Sequence, residues 1–392
     1  MKARVVHIIT RLELGGAQQN TLFTVSHLDT KRFSAALLCG EGGILNHEAA
    51  GLEGVEFKLV PGLVREISPA SEVRAFRRLR AMLVEEIKNW SPVPVIVHTH
   101  SSKAGILGRW AAYSAGVPVI IHSFHGFGFN DYQPFWTKRF YIAAEWLTAR
   151  ITTVFICVSR ANLERAVSLG FGPREKFLLI RSGIDIRAFE RRPIDVRARR
   201  RELGVGESGP LVVMVSNFKP QKNPLDFARA ASVVLKDVPD AWFVVAGDGV
   251  LRNELEALIH QQGIKDRFRL LGWRRDIREI LWAADLFVLT SLWEGLPRVY
   301  PEAMAAGLAI VGTKVDGAPE AVVNGENGYL VEPGDVKGLA QRIIEILTDE
   351  KLRKRMGEKG RALVNEFDIN LMLSKQEELY ENLLARKAET GA

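Results

Sequence analysis

Residues 291–313 read SLWEGLPRVYPEAMAAGLAIVGT and follow the apolar run ADLFVLT at 284–290. A strand, a glycine-containing turn and a helix, in that order, deliver side chains and backbone N–H groups to the carboxyl edge of a parallel sheet, where such sheets bind ligands. Glu294 falls in the turn, Pro297 suits the first helical position, and Glu302 follows about one turn later, so both carboxylates can face one ligand. Ionised carboxylates accept hydrogen bonds from vicinal hydroxyls, which sugars and riboses carry.

Outward from this stretch, short β-branched runs alternate with helical patterns twice over. The first series is VVHIIT (5–10), AALLCG (35–40), EFKLV (56–60), VIVHTH (95–100), VIIHSF (119–124), TVFICVS (153–159) and FLLIRSG (177–183). The second is LVVMVSN (211–217), WFVVAGDG (242–249), FRLLGW (268–273), LFVLTS (286–291), AIVGTKV (309–315) and GYLVEPGD (328–335). Such alternation predicts an α/β protein with parallel sheets covered by helices. An Arg-rich, Gly-containing segment near 191–209 separates the series. The expected organisation is a first doubly wound, Rossmann-like domain over 1–195, a second over 205–367 facing it across a cleft, and a terminal helix over 368–392. No GxGxxG follows the first strand, and AGDGVLRNE keeps only part of that spacing, with Arg252 where a third glycine would stand. A dinucleotide dehydrogenase is therefore disfavoured.

With 392 residues, 47% hydrophobic and 25% charged, the chain can build two cores. The net charge of +7 concentrates in RAFRRLR (74–80) and ERRPIDVRARRRELG (190–204). Solvated helix faces with a basic linker, or attraction to anionic head groups or a phosphorylated substrate, both account for it. Nucleic acid is not expected, because no helix-turn-helix, RNP-like or zinc-finger pattern accompanies these residues. Cys39 and Cys157 sit in apolar runs without CxxC spacing and read as inert core thiols. No apolar run approaches 18 residues and no signal-peptide pattern opens the chain, so a cytoplasmic protein is expected.

Four histidines fall within 28 residues, at 98, 100, 122 and 125. HxH followed by HxxH has a zinc-like look, but these residues end buried strands and read better as hydrogen-bonded groups. Gly15 and Gly16 lie between the first strand and a helix expected near Ala17, where a tight turn or close approach to a ligand phosphate would need glycine. In VSNFKPQKNP, Lys219 and Lys222 lie in a loop that opens a helix, placed as fixed cations for a departing diphosphate.

Taken together, EGLP, EAMA, AAG, the paired glycines and the lysine loop resemble the retaining nucleotide-sugar glycosyltransferases of family 4, which have the two-domain GT-B fold. The resemblance covers nearly the whole chain, and it implies that the terminal helix over 368–392 crosses back to pack on the first domain. It implies that Gly16 lines the cleft against the donor, that His125 contacts the transferred sugar near the reacting carbon, and that His100, Ser101 and Lys103 line the acceptor side. Lys222 would partner the donor diphosphate. Relatives commonly carry an arginine five residues before that lysine; here Asn217 stands in its place, and Lys219 could supply the charge. Lys222 itself is read as an exposed loop residue, important to turnover and unimportant to the fold. Trp273 and Arg274 would seat the nucleotide base. Glu302 would hold the ribose hydroxyls, Glu294 the sugar hydroxyls, and the N–H groups of Gly295 and Leu296 the sugar and phosphate. His125, Lys222 and Glu294 are thus the expected catalytic set.

The reaction this implies is retaining transfer of a hexosyl group from a nucleoside diphosphate sugar to a glycan or lipid-linked acceptor hydroxyl. A non-hydrolysing epimerase shares the fold, a glycosidase could use two glutamates, and a silent sugar-nucleotide-binding module is the non-enzymatic reading. No DxD occurs, so no metal or other cofactor is expected. In FGFNDYQPFWTKRFYIAAEWLTAR, Phe129, Tyr132, Phe135, Trp136, Phe140 and Tyr141 surround Lys138 and Arg139, which suits docking on an anionic inner membrane face. Packing of these aromatics into the first domain is the competing expectation.

Overall fold

The computed structural model describes residues 2–66, 68–190 and 193–389. They form two compact units, Met1–Gly183 with Ile369–Ala392, and Ile184–Asp368. In the first unit the strands are β1 (Ala3–Ile9), β2 (Phe33–Cys39), β3 (Val55–Leu59), β4 (Val95–His100), β5 (Val119–Phe124), β6 (Val154–Cys157) and β7 (Phe177–Leu179). They pair in parallel in the order β3-β2-β1-β4-β5-β6-β7. The second unit holds β8 (Leu211–Val215), β9 (Trp242–Ala246), β10 (Phe268–Leu270), β11 (Leu286–Leu289), β12 (Ala309–Thr313) and β13 (Gly328–Val331), again all parallel, in the order β10-β9-β8-β11-β12-β13.

Every strand expected from the apolar runs is present. Central strands such as β1 and β4 are buried at every residue, as continuous apolar runs covered on both faces require. One face of the first sheet packs Ala3, Val5 and Ile9 against the helices Gly16–His27 and Ile369–Glu389. The other packs Val6 and Ile8 against Pro69–Trp90 and Ser102–Ala115. The first of these two helices buries Ala75, Leu79, Met82 and Leu83, a helical spacing that explains its amphipathic sequence.

The strand orders fix where ligands can be bound. In each sheet the chain leaves one strand to build one side and returns to build the other: between β1 and β4 in the first unit, and between β8 and β11 in the second. The carboxyl ends flanking such a switch point open a crevice. Thr10, His100 and Ser101 lie there in the first unit; Asn217 and the turn carrying Glu294 lie there in the second.

Two expectations change. Over 193–204 the basic segment is not a bare linker (Arg191 and Arg192 lie outside the described residues): its helix Val196–Glu202 is capped by Asp195, and Arg200 is buried, its Nη2 2.6 Å from Asp285 Oδ2 and its Nε donating to Ala283 O. This arginine anchors the segment in the second unit, because a buried guanidinium needs a carboxylate and carbonyls around it. Pro297 precedes rather than opens its helix, which runs Val299–Ala306 after the cap residue Arg298; Glu302 lies in its first turn.

Candidate active site

The second unit builds a candidate site from two loops tied together. Leu292 N donates to Gln221 O at 2.7 Å, Gln221 Nε2 to Trp293 O at 3.0 Å, and Thr290 Oγ1 to Asn223 O at 2.8 Å. These bonds set Lys222 beside the turn of Glu294. Lys222 Nζ pairs with Glu294 Oε1, which also accepts from Ser291 Oγ at 2.6 Å, and Glu294 N donates to Asp316 Oδ2 at 2.7 Å. The side chains of Lys222 and Glu294 are only 17% and 7% exposed, so Lys222 is not the exposed loop lysine expected from the sequence. Its carboxylate partner holds it in a largely desolvated place.

Asn217 and Lys219 share this loop, Lys219 N donating to Asn217 O at 3.0 Å. Asn217 Oδ1 and Ser216 Oγ are buried without a hydrogen-bond partner. Buried orphan acceptors of this kind are uncommon in a folded core. The AGDG turn supports the loop from below: at Gly249 (φ 155°) an added Cβ would stand 2.7 Å from Phe218 O. That glycine serves packing, and the partial dinucleotide spacing needs no other explanation.

Glu302 meets Arg298 at 3.3 Å, with both side chains about 15% exposed. Burial raises the Glu302 carboxyl above the ordinary range, and Arg298 opposes that rise. Gly295 O accepts from Gly317 N at 3.1 Å, and the Leu296 side chain is buried. Trp273 is half exposed, whereas Arg274 is clamped by both Asp276 oxygens, at 2.8 and 2.5 Å.

The first unit carries, at its own switch point, a cluster of neutral groups. His98 and His100 point to the same face as His7 of β1, a residue not singled out from the sequence although a histidine inside VVHIIT is a polar signal in an apolar strand. His7 Nδ1 lies 3.0 Å from His100 Nε2, and His100 Nδ1 lies 3.1 Å from His125 Nε2. His98 is saturated separately, by Tyr380 Oη on Nδ1 and Ser123 Oγ on Nε2, both at 2.7 Å. His122 lies on the opposite face, bonded through Nδ1 to Thr99 Oγ1 at 2.9 Å. Burial depresses all five imidazoles, His7 to about 3 and His125 to about 4, with the other three well below the ordinary value.

His7, His98 and His100 bring ring nitrogens within 4.8 Å of one another, close enough for a metal ion. That grouping escaped the sequence reading, which weighed only the two histidine pairs. Against it stands His98, whose two nitrogens are both engaged by hydroxyls, so it could ligate only by giving up a bond.

Ser101 adopts φ 62°, unusual for serine, and its Oγ bonds Thr10 Oγ1 at 2.8 Å. Lys103 turns to Glu72 Oε1 at 2.6 Å and Glu66 O at 2.5 Å, so its charge is compensated within the unit. Gly16 opens its helix behind an extended Gly15. One turn further, Asn20 is buried with both amide atoms unpartnered, and it lines a cavity of about 10 Å³ together with Thr21, Thr24, His100, Ser123 and His125. Sequence reading passed over Asn20 because one polar residue on a short helix gives no signal by itself.

Similarity to known proteins places the chain in a family. Residues 15–183 match the glycosyl transferase 4-like domain, and residues 195–363 the glycosyl transferases group 1. The Escherichia coli UDP-Gal:alpha-D-GlcNAc-diphosphoundecaprenol alpha-1,3-galactosyltransferase is 34% identical over 390 residues, 98% of each chain. A Campylobacter jejuni N,N'-diacetylbacillosaminyl-diphospho-undecaprenol alpha-1,3-N-acetylgalactosaminyltransferase is 30% identical, covering 74% of this chain and 77% of its own. Among solved structures, Anabaena HepE in complex with UDP-glucose aligns with a TM-score of 0.82 at 21% identity, over 97% of this chain and 99% of its own.

The chain belongs to the group 1, or family 4, glycosyltransferases and has their GT-B fold of two Rossmann-like domains. It is an enzyme of glycosyl transfer from a nucleotide sugar, which sets aside the epimerase, glycosidase and silent-module readings.

Proposed function

We propose that this protein transfers a hexosyl group, with retention at the anomeric carbon, from a UDP-sugar to a hydroxyl of a saccharide carried on a polyprenyl diphosphate. The observation that carries the donor side is the Lys222–Glu294 pair at the β8/β11 switch point. A cation and a carboxylate held together there suit a diphosphate and a sugar hydroxyl respectively, and exchange of their mutual bond for the donor's groups offsets the cost of separating them. Glu302 would take the ribose hydroxyls, with Asn217, Lys219, Trp273, Arg274 and the Gly295–Leu296 backbone completing the donor contacts. His125 would accept from or donate to a sugar hydroxyl. The UDP and lipid-diphosphate terms come from the names of the Escherichia coli and Campylobacter relatives and of the UDP-glucose complex.

Growing charge on the leaving diphosphate is met by Lys222 and by helix amino termini rather than by a divalent ion, so turnover should survive EDTA. Loss of activity in EDTA with recovery in magnesium or manganese is the contrary result. The decisive assay incubates radiolabelled UDP-galactose, UDP-glucose or UDP-N-acetylgalactosamine with GlcNAc-diphospholipid and extracts the lipid. Label in the lipid phase, with donor intact when the acceptor is omitted, is expected. Donor consumption without acceptor would refute the transfer reading.

A membrane surface is the natural place for such an acceptor. Among the described residues no helix is long and apolar enough to cross a membrane. Instead the helix Phe135–Ala149 leaves Phe135, Trp136 and Phe140 exposed (59, 80 and 65%), beside exposed Tyr132 and with Arg139 stacked on Phe135. Phe129 drops out of the expected set: it is buried with Phe127 and Phe171. Tyr141 packs partly on the same cluster, and Lys138 is paired with Asp131. Arg74, Arg77, Arg78 and Arg80 remain exposed on Pro69–Trp90. Exposed aromatics flanked by arginines suit an anionic head-group boundary. Sedimentation with phosphatidylglycerol vesicles should pellet the protein, neutral vesicles should not, and W136A/F140A should remain in solution. Equal behaviour with both vesicles would leave a soluble acceptor as the better reading.

A further inference from the structure

The contacts from His7 to His100 to His125 form a chain of three imidazoles, each neutral in its buried setting. Three neutral rings carry three ring protons. Each of the two N···N contacts needs one proton, because two bare nitrogens repel and two N–H groups clash. The third proton must therefore sit at one end of the chain, on His7 Nε2 or on His125 Nδ1. These are the two ring nitrogens of the chain left without a partner.

Working outward from either choice gives a restrictive result. With the proton on His7 Nε2, His7 Nδ1 is bare, so His100 Nε2 must donate to it. His100 Nδ1 is then bare, and His125 Nε2 must donate in turn. All three rings are Nε2–H tautomers, and His125 Nδ1 is an acceptor. The opposite choice makes all three Nδ1–H tautomers and His125 Nδ1 a donor. Mixed arrangements break one of the two contacts between these buried rings.

The geometry points to His7 and His100 as positioning residues for glycosyl transfer: they lock His125 into a tautomer shared by the whole chain, and so set whether its Nδ1 donates to or accepts from a sugar hydroxyl. This rests on His125 as the residue that meets the sugar. No net proton is moved, since interconverting the two states needs a proton to enter at one end of the chain and leave at the other, and His7 Nε2 has no partner to exchange one with; the state is set on folding, and a hydroxyl that meets His125 Nδ1 takes the complementary role, as either donor or acceptor. Asn20, whose amide atoms are unpartnered, lines the same small cavity as His100 and His125.

The test uses full-length protein labelled with ¹⁵N-histidine, with ring-nitrogen spectra assigned through His7→Gln, His100→Gln and His125→Gln. Neutral rings of one tautomer at 7, 100 and 125 are expected. A mixed set, an imidazolium at any of the three near pH 7, or zinc at one equivalent in protein purified without chelator would overturn the proposal. In the second arm, UDP-galactose and GlcNAc-diphospholipid are used. His7→Phe should lower kcat about tenfold with KM for the donor within about twofold, and His7→Gln, whose amide can serve either tautomer, should recover most of it. Tyr380→Phe, which removes the hydroxyl bonded to His98 and keeps the ring that lies edge-on to His7, should lose stability but keep kcat within about twofold. Equal loss in His7→Phe and Tyr380→Phe, or none in His7→Phe, would make His7 merely structural. Should His7→Phe not fold, the spectra of the wild type still decide. Wild-type silence toward UDP-galactose would sink the donor assignment alone, because the spectra are read without substrate.

Discussion

At the β1/β4 switch point the polar groups withdrawn from water are imidazoles held uncharged, whereas at the β8/β11 switch point they are the buried Glu294 and the partly buried Lys222, Asp316 and Arg298–Glu302 pair. The two sheets share one topology, yet one edge solves the burial of polar groups by neutrality and the other by pairing. The difference follows from what each must meet. A diphosphate brings charge, and an ion pair that can be exchanged accommodates it; a hydroxyl brings none, and a charged group near it would cost desolvation for little return.

Acid separates the two solutions most widely. An unfolded imidazole titrates near 6.5, while folded His7 and His125 stay neutral to about 3 and 4, and His98, His100 and His122 also remain neutral well below 6.5. Stability is therefore complete above pH 6.5 and is lost as pH falls, because the unfolded chain binds protons that the folded unit refuses. For His7 and His125 the cost is about 2 kcal/mol each by pH 5, and the other three add to it in the same direction. Glu302 has the opposite sign: its carboxyl is raised in the fold, so its ionisation costs stability as pH rises, and acid relieves it. Hydrogen exchange at pH 7 and pH 5, corrected for intrinsic rates, should show peptides from β4 and β5 losing protection well before those from β11 and β12. Simultaneous loss would mean the imidazoles are not buried neutral.

Lys222→Ala is expected to reduce turnover by about 10²–10³, the range seen when a preorganised charge is removed from a transition state. Its stability effect tests the pairing. Glu294 would keep only Ser291 for a carboxylate that is 7% exposed, so the single variant should also lose about 1–3 kcal/mol in urea unfolding. Adding Glu294→Gln should restore stability and not turnover. If the single variant is as stable as wild type, Lys222 is the solvated lysine the sequence suggested.

The charged half was the more legible one. EGLPRVYPEA and the lysine loop announce themselves because each residue type has a local reason to be there, and every strand that positions them is a continuous apolar run. The neutral half was partly hidden. His98, His100 and His125 were visible, but the partner that makes them a chain, His7, lies more than ninety residues earlier in sequence and meets them only through the β1/β4 register, His7 opposite His98. Tyr380 reaches the same cluster from the terminal helix. Such long-range contacts leave no periodic trace. Lys103 and Arg274 show the reverse limit: their positions were legible, but not the carboxylates that claim their charge.

The smallest effect sharpens the assignment within the charged half. Glu302→Ala removes one charge-assisted hydrogen-bond acceptor, worth about 1.5–3 kcal/mol, so UDP affinity measured by calorimetry should fall about 10- to 100-fold. Glu302→Gln keeps an acceptor and removes the charge that burial disfavours, so it should weaken UDP less than alanine does. Two opposing terms act on its stability: relief of the raised carboxyl, and the charge-assisted bond that Arg298 loses when its partner becomes a neutral amide. Since both groups are still about 15% exposed, water can replace the lost bond, and the net change should stay within about 1 kcal/mol. Affinity for UDP and for free uridine should fall together in Glu302→Ala, because the ribose is common to both. A loss confined to UDP would move Glu302 from the ribose to the diphosphate and make Arg298, not the carboxylate, the group that the nucleotide meets.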